Sequence, residues 1–321
     1  SEKSGRPLFC GSYPITPATV ILEELAIYKQ LGAKTVQCED EIAGICTSIG
    51  AAYAGNLAVT STSGPGLSLK SEALGLAMIT ELPLVIIDVQ RSGPSTGIPT
   101  KTEQTDLNQA LYGRNGECPV MVMASRTPSD CFRAAFYAAK YALEHMMPVI
   151  LLSEGFLGNG SEPWKIPSMA EYPAINPPII KECEGKFKPF ERDPETFVRK
   201  WALPGTPGLE HRVGGLEKTP AGAVSSDPQV HEKMVAARAA KIAKVADCIP
   251  DLEHAPGPGC LRHPSGRQVR CDRGMELLGL SDIHRLLKIA LSVHLRSSHL
   301  KDSPFPHESF LPERKSDPPE R

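Results

Sequence analysis

No stretch of this 321-residue chain approaches the roughly 20 consecutive apolar positions that a membrane-spanning helix requires; the longest apolar segments are short ones such as residues 84–87. Membrane insertion is therefore not expected, and no membrane partner. The opening residues 1–6 are few and polar, with no apolar core behind a charged start, so no secretory signal is expected there. Cysteine pairing is missing too. The nine cysteines are odd in number and scattered, and no C-x-x-C occurs. That argues against a disulfide framework, a zinc knuckle or a self-contained iron–sulfur site, and fits a reducing, cytoplasmic setting. Charge of one sign is also scarce: 35 basic against 37 acidic side chains leave a net charge of -2, too weak a field to hold a nucleic-acid backbone. There is no G-x-x-x-x-G-K, G-x-G-x-x-G, H-E-x-x-H or serine elbow, and before residue 254 the only histidines are His145, His211 and His231. Hydrolase and metalloenzyme readings, and a metal site within the chain, lack candidates.

What is present alternates. Strand-like runs at 7–10, 35–38, 57–60, 82–89, 120–124 and 148–152 are separated by segments of helical period. Apolar runs bounded by helices imply a doubly wound parallel sheet covered on both faces, an α/β architecture. Ligands of such sheets sit beyond the carboxyl ends of the strands, an edge occupied here by the loops 11–17, 60–66 and 90–104. Thr16 and Pro17 read as the N-cap and first-turn proline of a helix ending near Gly32. Ile42, Ile45, Cys46, Ile49 and Tyr53 form an apolar stripe of helical period. Small residues between them, such as Gly44, Ser48 and Ala52, let a second backbone or a flat ligand come close. The expected organisation is an α/β domain over 7–158, a proline-rich wrapping segment closed by a helix over 159–253, and an atypical tail over 254–321. That tail holds six of the nine histidines and 11 basic against eight acidic residues. It is expected to be disordered or to stem from a shifted reading frame.

Three candidate positions lie at the ligand edge. Glu41 closes the run Glu39, Asp40, Glu41; such acids at a helix start answer its dipole for about 0.3–1 kcal/mol each. Beside a packed apolar stripe, the same carboxyl would instead be desolvated and able to lend a proton to a ligand nitrogen. Thr16 is either a helix cap or a hydroxyl facing a ligand. Arg91, leaving a strongly apolar strand, makes either an exposed ion pair of little weight or a two-pronged grip on a carboxylate. The turn Ser61 to Gly66 offers backbone amides to an anion at a helix start.

The segments G-S-Y-P-I-T-P-A-T (11–19), T-V-Q-C-E-D-E-I-A-G-I-C (35–46), T-S-T-S-G-P-G-L-S-L (60–69), D-V-Q-R-S-G-P-S-T-G-I-P-T-K-T-E-Q-T-D-L (88–107) and P-G-T-P-G-L-E-H-R-V-G-G-L-E-K (204–218) carry a resemblance. In order and spacing, over about residues 8–253, the chain resembles the alpha subunit of 2-oxoacid:ferredoxin oxidoreductases, nearest the 2-oxoglutarate type, 2-oxoglutarate synthase. The resemblance implies a domain that binds the pyrimidine end of thiamine diphosphate. Glu41 matches the acid that hydrogen-bonds the pyrimidine ring, Thr16 the threonine near the keto group of the substrate, and Arg91 the arginine that holds its carboxylate. Tyr13, Pro14, Ser61, Thr62, Ser63 and Gly64 would line the cofactor, and Lys101 is a candidate for a second substrate carboxylate. The resemblance further implies oxidative decarboxylation of a 2-oxoacid to an acyl-CoA, with coenzyme A as acceptor and electrons passed to ferredoxin. G-D-G with paired asparagines and grouped cysteines are missing here, so Mg2+, the diphosphate grip and the iron–sulfur cluster are expected from a beta subunit. The chain is expected to be truncated relative to the family. Its alternatives are a non-catalytic docking fragment, or an enzyme for pyruvate or a branched-chain oxoacid.

Overall fold

The structure, a computed structural model, describes residues 1–249 and two short antiparallel strands, β9 (Cys260–Arg262) and β10 (Gln268–Arg270). The expectations for the rest of 254–321 lie outside the described residues. The chain folds as β1 (Leu8–Ser12), α1 (Thr19–Ile27), β2 (Lys34–Gln37), α2 (Glu41–Tyr53), β3 (Leu57–Thr62), α3 (Gly64–Leu69), α4 (Ser71–Thr80), β4 (Leu84–Gln90), α5 (Leu107–Tyr112), β5 (Met121–Ala124), α6 (Asp130–His145), β6 (Pro148–Glu154) and α7 (Gly155–Asn159). Then come a minimal parallel pair, β7 (Ile179–Ile180) and β8 (Trp201–Ala202), and α8 (Pro228–Val245).

The first six strands form one parallel sheet in the order β2-β1-β3-β4-β6-β5. The doubly wound α/β reading is thus found. Chain order reverses at β1, which has β2 on one side and β3 on the other, and the crevice between β1 and β3 is where this topology receives ligands. The central strands are buried along their length. One face packs Leu84 and Ile86 of β4 against α2, α4 and α5, with Ile45, Leu74 and Ala110 in contact. The other packs Val85, Val149 and Leu151 against α6 and α8 through Ala138, Tyr141 and Ile242. Each fully buried aliphatic side chain contributes about 1.5–3 kcal/mol, which fixes strand register and so the height of every strand end.

Two local expectations are corrected. Thr16 is not a helix cap: Thr16–Pro17 is a cis peptide bond, and α1 begins at Thr19, whose Oγ1 accepts from the Ile15 amide at 2.8 Å. In α2 the buried face is Gly44, Ile45, Ser48, Ile49 and Ala52, while Ile42 is 53% exposed and Cys46 also faces outward. The helix is turned because its small residues seat on β1. A side chain at Gly11 would strike Ser48 Oγ and the Gly44 carbonyl, and Ser48 Oγ accepts from Gly11 N at 3.2 Å while donating to the Val59 carbonyl at 2.9 Å. The small stripe therefore admits a backbone.

The proline-rich segment is tied down by charge. Glu81, in a left-handed C-cap of α4 (φ 52°), is completely buried. Its carboxylate accepts from Arg192 and, at 2.6 Å, from Lys241 of α8. Arg199 Nε donates to its carbonyl at 3.2 Å. Burial alone would raise the Glu81 pKa, but the Lys241 ammonium and Arg192 guanidinium outweigh it and hold the group down to about 2.

Candidate active site

Parallel strands put all their carboxyl ends on one edge, and the polar ends of β1, β3, β4 and β6 there are buried. Ser12, at the end of β1, is hydrogen-bonded through Oγ to Ser61 Oγ at 2.8 Å and donates to the Ser61 carbonyl at 3.1 Å. These bonds pin β1 to β3 at the crevice, so Ser61 serves the strand pair. One residue on, Tyr13 and Thr62 are hydrogen-bonded at 2.8 Å between their hydroxyl oxygens. Burial raises the Tyr13 pKa above its usual value, with Glu41 adding to the effect. Tyr13 is a neutral phenol here, able to donate.

Glu41 opens α2 immediately after Asp40, whose Oδ1 accepts from Ala43 N at 2.8 Å as the side-chain cap. Capping is thus done by Asp40. Glu41 is left half-buried, facing the Tyr13–Thr62 pair. A β-carbon placed on Gly66 would collide with Tyr13 Oη and Thr62 Oγ1 and would lie 3.1 Å from Glu41 Cγ. Gly66 thus marks a cradle where a carboxyl, a phenol and a threonine hydroxyl converge. Ser63, between β3 and α3, is buried, and its hydroxyl has no partner among the described residues. The expected turn over 61–66 is shorter than read: Ser61 and Thr62 complete β3 and helix resumes at Gly64. An acid beside aromatic and small walls, with an orphaned hydroxyl next to it, fits the pyrimidine end of thiamine diphosphate. Pro14 lies exposed at the rim.

Arg91 follows β4 and is 7% exposed, not at the surface. Its Nη1 donates to the Thr16 carbonyl at 2.7 Å, while Nε is buried with no partner among the described residues. The structure therefore couples two residues 75 positions apart, and leaves guanidinium capacity for a ligand. Beside Thr16 opens a cavity of about 290 Å³ lined by Pro17, Thr100, Lys101, Thr102 and Asn159. Lys101 is exposed at its mouth, on a strap that folds back on itself through Ser92 N to the Lys101 carbonyl at 3.0 Å and Gly93 N to Glu103 Oε2 at 2.9 Å.

Three buried ionisable groups at this edge escaped the sequence reading. Asp88 is fully buried on β4 and both its oxygens lack a donor among the described residues. Burial, then the neighbouring Asp106 carboxyl, raises its pKa well above the usual range. The site therefore favours the protonated, neutral form of Asp88. Asp106 packs on Gly64, where a β-carbon would lie 2.7 Å from its Oδ2. Lys70, fully buried, donates to the Glu41 carbonyl at 2.8 Å. A charged residue ending an apolar strand (L-V-I-I-D) or inside an apolar helical run (L-S-L-K) was the available signal. Among the described residues no group of three or more His, Cys, Asp or Glu side chains is placed to hold a metal ion, and no helix is long and apolar enough to cross a membrane.

Comparison with known proteins identifies the family of the fold. The family described as pyruvate flavodoxin/ferredoxin oxidoreductase, thiamine diphosphate-binding, matches residues 2–227. The chain is 58% identical over 253 residues to the 2-oxoglutarate oxidoreductase subunit KorA of Mycobacterium tuberculosis, covering 78% of this chain and 38% of that one. It is 38% identical over 252 residues to the 2-oxoglutarate synthase subunit KorA of Methanothermobacter marburgensis, covering 76% and 65%. A solved structure of the 2-oxoglutarate:ferredoxin oxidoreductase from Magnetococcus marinus, with 2-oxoglutarate, coenzyme A and succinyl-CoA bound, superposes with a TM-score of 0.76 at 38% identity, covering 79% of this chain and 44% of that one. The chain thus spans between about two fifths and two thirds of the length of these relatives.

Proposed function

Because the chain belongs to the thiamine-diphosphate-binding family of pyruvate flavodoxin/ferredoxin oxidoreductases, we propose that it supplies the pyrimidine-binding half of the active site of a 2-oxoacid:ferredoxin oxidoreductase acting on 2-oxoglutarate. The observation that carries this is the convergence of Glu41, Tyr13 and Thr62 on the Gly66 cradle at the β1/β3 crevice, with Arg91 and Thr16 locked together at the same edge. The cofactor supplies a nucleophilic carbon and an electron sink for decarboxylation. The chain's own residues do the rest. Glu41 would meet the pyrimidine ring nitrogen with its carboxyl and pass a proton to it. Tyr13 and Thr62 would line the ring's wall, and Ser63 and Gly64 would continue it. Arg91 offers its free nitrogens to the 2-oxoacid carboxylate, held in aim by the Thr16 carbonyl, and Thr16 stands at the keto end. Lys101, which lines the same cavity as Thr16, meets the second carboxylate of a dicarboxylic oxoacid.

In this reading residues 7–158 carry the site and 159–253 brace it through Glu81. Mg2+, the diphosphate contacts and the iron–sulfur cluster belong to a beta subunit seated over the edge, and coenzyme A and ferredoxin are the acyl and electron acceptors. Support comes from the half-open site: Ile42 and Leu69 remain 53% and 55% exposed on the two helices that begin at the crevice. The test is co-expression with the beta subunit and dye reduction driven by 2-oxoglutarate and coenzyme A. Glu41→Gln should lower turnover by about 10²–10⁴. Undiminished turnover in that variant would refute the assignment.

A further inference from the structure

A buried cation under the first turn of α2 has no part in the steps above. Lys70 joins α3 to α4 and is fully buried. Its Nζ donates to the Glu41 carbonyl at 2.8 Å and to Thr60 Oγ1 at 3.3 Å, and stands 4.9 Å from the centre of the Tyr13 ring. Both features of this placement are costly. A helix start presents the positive end of its dipole, which opposes a cation, and burial removes the ammonium from water. Burial lowers the Lys70 pKa to about 8, against the opposing pull of Glu41, and Cys38, Cys46 and Asp40 also face it. Cys10 faces it from β1. A methionine fills comparable space without these costs, so packing alone does not account for the charge. What the ammonium touches is the residue that opens α2 at the cradle, by its backbone at hydrogen-bond distance and by its carboxyl through space.

Resting on the assignment of Glu41 as the acid that meets the pyrimidine nitrogen, we infer that Lys70 is a positioning residue for that acid. Its ammonium fixes the first turn of α2 through the Glu41 carbonyl, and biases the shared proton away from the Glu41 carboxyl toward the ring nitrogen. No bond other than that to the proton changes: the proton leaves Glu41 Oε, resides on the ring nitrogen, and returns, while Lys70 keeps its own. When Lys70 deprotonates on the alkaline side, the bias disappears.

The test uses the complex with the beta subunit, loaded with thiamine diphosphate and titrated across neutral and alkaline pH. The near-ultraviolet circular dichroism of the cofactor's tautomers is followed alongside turnover. The wild type should lose the ring-protonated signal in the range where Lys70 titrates, with the large temperature dependence of an amine rather than the small one of a carboxyl group. Lys70→Met should erase that transition and lower kcat about tenfold, one unit of proton affinity being a tenfold change in population, while KM for the oxoacid stays put. A wild-type signal flat through this range overturns the proposal, and needs no variant to fold. So does a Lys70→Met complex that keeps the transition and only melts earlier. Glu41→Gln separates the two levels. If that variant keeps wild-type signal and turnover, the reading of Glu41 fails and takes this inference with it. If it loses both while Lys70→Met matches the wild type, the role of Lys70 alone fails.

Discussion

Replacing Gly66 by alanine tests the cradle without touching a charged group. The added methyl would enter the space of Tyr13 Oη and Thr62 Oγ1 and approach Glu41 Cγ to 3.1 Å. Neither hydroxyl can step aside into solvent, since Tyr13 is 5% and Thr62 0% exposed and they bond each other. Overpacking of this kind costs about 1–3 kcal/mol, and losing the buried Tyr–Thr bond adds about 1–3 kcal/mol. Gly66 lies in α3 outside the left-handed region, so alanine recovers about 1 kcal/mol of helix propensity. The net loss is about 1–5 kcal/mol, several degrees in melting temperature. Gly75 in α4 supplies the control: a β-carbon there meets nothing within 4 Å, so Gly75→Ala should gain about 0.5–1 kcal/mol. Thermal melts of the chain give the signs, and thiamine diphosphate titration of the complex should show weakened binding for Gly66→Ala alone. If Gly66→Ala is as stable as Gly75→Ala and binds cofactor like the wild type, the reasoning from the cradle is wrong.

Glu81→Gln strips the carboxylate from the buried cations Lys241 and Arg192 while leaving the carbonyl that Arg199 bonds, and should cost about 3–5 kcal/mol in denaturant unfolding; a change below 1 kcal/mol would count against the charge hub. Asp88 binds its proton more tightly folded than unfolded. Its contribution is therefore complete below the ordinary aspartate value and fades as pH rises through the elevated folded one. A melting-temperature profile should decline over that window, and Asp88→Asn, which imitates the protonated form, should flatten the decline; an unaltered slope would refute a protonated Asp88. Arg91→Lys keeps the charge but not the fork, and should mainly raise KM for the 2-oxoacid; an unchanged KM with lower kcat would assign Arg91 to the chemistry instead.

Much of the sheet was legible because a parallel strand covered on both faces is an uninterrupted apolar run. The strand ends were not. β1, β3 and β6 each extend two residues past the apolar segment, through Ser12, Thr62 and Glu154, and these polar ends are buried. Polar residues after an apolar run look like the start of a loop, whereas here hydrogen bonds such as Ser12 to Ser61 let the ladder continue to the ligand edge. Thr16 misled for a related reason: threonine before proline has the chemistry of a cap, and only the fold shows its carbonyl engaged by Arg91 instead. The stripe over 42–53 was right at Ile45 and Ile49 and wrong at Ile42 and Cys46, since glycine and serine carry no apolar signal yet seat the helix on β1.

The missed groups share one property. Lys70, Asp88 and Asp106 are charged by type, and a sequence gives no sign that a charged residue is buried unless its partners are known. Their partners lie far away in the chain: Glu41 for Lys70, Gly64 for Asp106. Glu41, Thr16 and Arg91 were legible from their place at the ligand edge and took their roles from the resemblance, whereas the residues that hold them in place follow only from the geometry. Exposure differs along the edge too. Tyr13, Thr62 and Lys70 are buried and bonded, while Pro14, Thr16 and Lys101, assigned here to incoming molecules, are exposed. An edge whose supports are finished and whose contacts remain open is what one half of a shared active site requires.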